Sequence, residues 1–175
     1  TNLSDALRQA EAMIEAGADV IDVGGESTRP GAAPVTESEE LSRVMPVVEA
    51  IRQRFPIPLS VDTSTPSVMR AALTLGVEVI NDVRALTREG ALSACADGDG
   101  YIVLMHMQGT PATMQRNPTY ADLFGEINQF FEDRISACAE AGISAGRLIL
   151  DPGFGFGKTL EHNFKLVDEL DQFYD

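Results

Sequence analysis

Acidic and amide side chains recur at the ends of short apolar runs. Asp22 closes Val20-Ile21, Asp62 closes Leu59-Ser60-Val61, Asn81 and Asp82 follow Val79-Ile80, and Asp151 closes Leu148-Ile149-Leu150. A carboxylate only accepts hydrogen bonds, so Asp62 and Asp151 suit an amidine-like or amino-substituted ring edge, whereas Asn81 both donates and accepts and can read a mixed edge. A carboxylate withdrawn from water is costly unless partnered. The partner is either a ligand or an internal group such as a backbone N–H of a neighbouring loop, and the sequence leaves both open. Asp82 falls on the opposite face by alternation and reads as structural or capping.

Two glycine-rich loops leave such runs. The first, Gly24-Gly25-Glu26-Ser27-Thr28-Arg29-Pro30-Gly31, carries hydroxyls and one arginine. Arg29 matches a carboxylate or phosphate in charge and shape, or else is solvated. The second is Asp151-Pro152-Gly153-Phe154-Gly155-Phe156-Gly157-Lys158-Thr159. It departs from the nucleotide-phosphate pattern G-x-x-x-x-G-K-[ST] at Pro152, and from G-x-G-x-x-G at Lys158. Phe156 can stack on a flat ligand or fill the core. His106 has no neighbouring histidine and no H-E-x-x-H context, which argues against a metal role. His162 reads as a surface or capping residue. Met105 points inward, while Met107 and Met114 read as packing.

The elements that must hold these residues alternate. Helical periodicity covers 4–16, 38–55, 66–75, 89–96, 120–141 and 161–173, with Pro46 expected to bend the second helix or break it near its start. Strands fall at 19–23, 59–62, 77–83, 101–106 and 147–151. Strand-then-helix alternation implies a parallel sheet. With Leu59, Val61, Ile80 and Leu104 under the helices, Asp22, Asp62, Asn81, Met105 and Asp151 converge at the C-terminal strand ends, where a (β/α)8 barrel places its active site. Eight strands need ~250 residues, so five within 175 residues read as part of a barrel, or alternatively as a small open sheet.

Composition narrows the partners. Apolar residues make up 44% and charged residues 23%, as in a globular chain. Net charge is −14, from 27 acidic and 13 basic residues, which argues against nucleic acid and anionic membrane. No apolar run reaches the ~20 residues of a membrane helix. Cys95 and Cys138 form no C-x-x-C pair, which favours a reducing cytoplasm over a disulfide framework or a cysteine zinc site.

The segments 17–30, Ser60-Val61-Asp62-Thr63-Ser64, Ile80-Asn81-Asp82, Leu104-Met105-His106-Met107-Gln108-Gly109 and 151–158 resemble, in order, the motifs of the bacterial dihydropteroate synthase family, pterin-binding barrels that are sulfonamide targets. The resemblance implies a transferase of folate biosynthesis. It condenses 6-hydroxymethyl-7,8-dihydropterin pyrophosphate with p-aminobenzoate, with Mg²⁺ assistance, and releases pyrophosphate. It also implies a pterin site of Thr28, Asp62, Asn81, Met105, Asp151 and Phe156, a loop of Arg29 and Pro30 shaping the p-aminobenzoate site, and catalytic roles for Asp62 and Arg29. It further implies small-molecule partners and a homodimer. Residues 1–175 are expected to form one partial barrel domain with no second domain, truncated at both ends and holding strands two to six of eight. The family's metal loop and pyrophosphate-binding segments have no counterpart in this sequence, so no residue here is assigned to metal, and the 175 residues alone are expected to be inactive. Alternatives are the related pterin-binding domain of methyltransferases, or a non-catalytic binding domain on a five-stranded sheet.

Overall fold

The computed structural model describes residues 2–27, 33 and 35–173. The chain runs α1 (Leu3–Glu15), β1 (Ile21–Gly24), α2 (Glu37–Arg54), β2 (Leu59–Asp62), α3 (Pro66–Thr74), β3 (Val79–Asp82), α4 (Ala91–Ala96), β4 (Tyr101–Met105), α5 (Leu123–Glu140), β5 (Leu148–Asp151) and α6 (Leu160–Asp168). Among the described residues the five strands form one parallel sheet in the order β1-β2-β3-β4-β5. Each strand lies beside its successor, as in a barrel wall and unlike a doubly wound sheet, whose strand order reverses.

β3 starts later than its apolar run because a helix stop consumes its first residue. After α1, α3 and α5 the N–H of Ala18, Val77 and Ile143 reaches back to the carbonyl of Met13, Ala72 and Cys138, at 3.0, 3.1 and 2.9 Å. This six-to-one bond is a helix C-cap. It withdraws Val77 from the ladder, so β3 starts at Val79 and not at 77. The fifth helix starts at Leu123 because Asp122 caps it, its carboxylate accepting the Gly125 N–H at 3.1 Å. The last helical stretch divides into α6 and a 3-10 turn over Leu170–Phe173.

Pro46 does not break α2, which is continuous over Glu37–Arg54. Pro46 lies on the exposed side, while Val44, Val48 and Ile51 on either side of it are buried against the sheet. Packing holds the helix across the lost backbone bond.

Alternation sorts the two faces as the sequence implies. Leu59, Val61, Ile80, Ile102 and Leu104 are fully buried beneath the helices, with Val48, Met69 and Ala72 among their core neighbours. The opposite face carries Ser60, Val79, Asn81, Val103 and Ile149, which border an open cavity of about 750 Å³. Ile149 is 44% exposed there.

Candidate active site

Ladder register places the polar strand ends. Gly24 pairs with Asp62, Asp62 with Asn81, Asn81 with Val103, and Val103 with Ile149. Asp62 and Asn81 are therefore side by side on the cavity face. Met105 pairs with Asp151 one inward-facing rung further toward the C-terminal ends, while Asp22 pairs with Ser60 one rung below. Asp22 is exposed and borders the cavity, a rung apart from the cluster it was expected to join.

Asp62 is half-buried, and its carboxylate accepts no hydrogen bond from any described residue. Burial, followed by the charges of Asp22, Asp82, Glu40 and Glu26, pushes its pKa from 3.8 up to about 7. A carboxylate so placed binds donors when ionised and stabilises positive charge. Asp151 is half-buried and has one hydrogen-bond partner for its side chain among the described residues, the Gly153 N–H at 2.7 Å. Its second oxygen is available to a ligand. Asn81 is half-buried at the same wall. Met105 is 4% exposed and borders a separate, smaller cavity of about 240 Å³ with Val83, Arg84 and Phe130. Phe154, 41% exposed, lines the larger cavity beside Asp151. Phe156 is half-buried in the same loop, its N–H bonded to the Gly153 carbonyl at 3.0 Å. Thr28, Arg29 and Pro30 lie outside the described residues.

Asp82 is the structural group its parity suggests. It is fully buried, accepts from Ser64 Oγ, and takes the N–H groups of Arg84 and Leu86 at 2.9 and 2.8 Å. Those bonds hold a turn in which Ala85 and Leu86 both have positive φ, 50° and 57°. His162 caps α6: it exchanges bonds with Thr159, each at 3.2 Å, as a capping box.

All 175 residues match the model of a family described as pterin binding enzyme. The chain belongs to the pterin-binding enzyme family. This member is 54% identical to the dihydropteroate synthase of Escherichia coli K12 over 173 residues, covering 99% of this chain and 61% of that protein. Among solved structures, it superposes on a Yersinia pestis dihydropteroate synthase in a sulfonamide drug complex with a TM-score of 0.97 at 52% identity, covering 99% of this chain and 63% of that one. It superposes on a Burkholderia cenocepacia dihydropteroate synthase complexed with 7,8-dihydropteroate with a TM-score of 0.90 at 48% identity, covering 98% and 62%. The chain thus spans about 61% of the length of the curated E. coli relative.

Sequence reasoning missed the groups that brace this family member's site. Glu40 of α2, 2% exposed, accepts from the hydroxyls of Thr63 and Thr65 at 2.6 and 2.5 Å, tying α2 to the loop after β2. Arg84 pairs with Glu26 at 3.2 Å and donates to Ser64 at 2.9 Å, so the loops after β1, β2 and β3 share one network. Lys158, which looked like the end of an imperfect phosphate loop, is 3% exposed and donates to His106 Nδ1 at 3.0 Å. The only signal for such partners was residue type, since 52 positions separate Lys158 from His106.

Proposed function

We propose that this chain carries the pterin-binding part of a dihydropteroate synthase, a transferase joining 6-hydroxymethyl-7,8-dihydropterin pyrophosphate to p-aminobenzoate, and that residues 1–175 act as one barrel-type unit. The observation that carries the reading is the Asp62 carboxylate, half-buried without a partner among the described residues and paired across the ladder with Asn81, which lines the cavity. A pterin's amino-pyrimidine edge supplies the donors that Asp62 and Asp151 lack, and Asn81 reads the mixed positions. Met105 and Phe156 wall the ring, and Thr28, Arg29 and Pro30 close the p-aminobenzoate side.

In the reaction, the methylene C–O bond to pyrophosphate breaks and positive charge develops on the carbon. Fixed carboxylates stabilise that charge without the reorganisation water would need, which is the catalytic part given to Asp62. The aniline nitrogen then forms the C–N bond and gives up a proton. Arg29 is assigned to an anionic group of the substrates. Magnesium enters this reading as a companion of the pyrophosphate. Among the described residues no three His, Cys, Asp or Glu side chains gather to hold an ion, so no step is assigned to it on this chain. Small-molecule partners, a homodimer and a cytoplasmic location complete the proposal. The free, buried Cys95 and Cys138 suit a reducing compartment, and among the described residues no helix is long and apolar enough to cross a membrane.

The test is a chimera in which this chain replaces the matching span of the E. coli relative. It is expected to form dihydropteroate and to lose that activity on Asp62→Ala. A folded, soluble chimera that makes none would overturn the reading.

A further inference from the structure

We propose that Lys158 is a positioning residue for the pterin site: its ammonium, held by His106 and by the Phe156 carbonyl, locks the loop between β5 and α6 onto the end of β4 and thereby sets where Asp151 and Phe156 face the ligand. The inference rests on the pterin reading of the cavity.

Lys158 is 3% exposed, a rare state for a lysine. Among the described residues no carboxylate lies within ion-pair distance of it. Its three N–H donors instead meet three acceptors: His106 Nδ1 at 3.0 Å, the Phe156 carbonyl at 3.0 Å and the His106 carbonyl at 3.4 Å. His106 is itself 6% exposed, and its N–H donates to the Asp151 carbonyl at 2.8 Å. One ammonium thus connects the backbone of Phe156, through His106, to the backbone of Asp151. A methionine or leucine would fill the same space without desolvating a charge, so what the lysine adds is this three-way bonding and its positive charge.

The loop it holds leaves no slack. Gly153 has φ +71°, and a Cβ there would sit 2.0 Å from the His106 carbonyl oxygen. A Cβ on Gly157 would lie 2.8 Å from the Gln108 backbone, and Tyr120 donates its hydroxyl to the Gly157 carbonyl at 2.7 Å. The two loops are in backbone contact on both sides of Phe156, and Lys158 bonds across them together with the Tyr120 hydroxyl and the Gln115 amide, which donates to the Gly155 carbonyl. An ammonium only donates, so Nδ1 of His106 accepts and its ring is neutral with the proton on Nε2. Burial and the Lys158 charge agree, pushing the His106 pKa down from 6.5 to about 4. Burial lowers that of Lys158 from 10.5 to about 8, while the Asp151 carboxylate favours its charged form.

The test uses the full 175-residue chain, 6-hydroxymethylpterin as the calorimetric probe, and three variants. Lys158→Met and His106→Leu are each expected to weaken binding about tenfold or more while the far-ultraviolet circular dichroism and cooperative melting persist. His106→Asn places an acceptor oxygen where Nδ1 was and is expected to bind within about threefold of wild type. A purely structural role would shift melting in all three without this division. Wild-type binding with unaffected Lys158→Met, or His106→Asn as weak as His106→Leu, overturns this inference alone. Absence of binding by the wild-type chain overturns the pterin reading and the inference with it. Should Lys158→Met fail to fold, the asparagine–leucine comparison decides together with the nitrogen-15 shifts of wild-type His106: protonation at Nε2 supports the proposal, and protonation at Nδ1 overturns it.

Discussion

Asp62 and Asn81 are direct neighbours across the β2–β3 ladder, both on the cavity face. Parallel pairing sets a carboxylate that only accepts beside an amide that also donates, at the strand ends where a barrel does its chemistry. Under the proposed function, the pairing gives the two residues complementary parts in reading one edge of a flat ring.

The pKa of Asp62, raised to about 7 in the free chain, makes ligand binding proton-linked. A donor edge favours the ionised carboxylate, so pterin binding near neutral pH is expected to release a proton and to tighten as pH rises through 7. Calorimetry in buffers of different ionisation enthalpy reads this directly. Proton uptake, or buffer-independent heats, would contradict it.

The same shift has a stability sign. Between 3.8 and about 7 the folded chain binds more protons at Asp62 than the unfolded chain, so this group's contribution falls as pH rises through that window. Asp62→Asn is expected to be more stable than wild type at pH 8, with the advantage fading toward pH 4. Urea midpoints at several pH values check it.

His106 works in the opposite direction. Its pKa falls from 6.5 to about 4 on folding, so the unfolded chain binds more protons in between and stability is lost as pH drops through that interval. His106→Asn, which has no proton to gain, is expected to lose less stability than wild type from pH 6.5 to 4. Melting scans across that range distinguish the two.

Gly153→Ala is expected to be severe. Its Cβ would be 2.0 Å from the His106 carbonyl oxygen at a backbone φ of +71°. Displacement of the loop should cost at least about 2 kcal/mol and weaken pterin binding. An alanine variant with unchanged melting and affinity would show that the two loops do not press together.

The isolated 175 residues are expected to form no dihydropteroate even where they bind pterin. Among the described residues no lysine or arginine lines the 750 Å³ cavity and no metal-ligand cluster is present to take the charge of the leaving pyrophosphate. Product formation by the isolated chain under saturating substrates would refute this.

Much of the fold could be read from periodicity because only one face of the sheet is covered by helices. Leu59, Val61, Ile80 and Leu104 are all fully buried, as alternation required, and Asp82 took the structural role its parity implied. The start of β3 was less legible because a helix cap, a three-dimensional feature, claims Val77. Pro46 left α2 unbroken because tertiary burial of the helix outweighed a local preference. At the site, Asp62, Asn81 and Asp151 were visible as polar breaks in apolar runs. Lys158 and Glu40 were not, since each is buried by partners far away in sequence, 52 residues for Lys158–His106 and 23 for Glu40–Thr63.

The central claim is that Asp62 and Asp151 hold a pterin. Titrating 6-hydroxymethylpterin calorimetrically into the wild-type chain and into folded Asp62→Ala and Asp151→Ala tests it most directly. Loss of a charged hydrogen-bond partner is expected to weaken each variant about tenfold or more. Equal affinity in all three proteins would contradict the account.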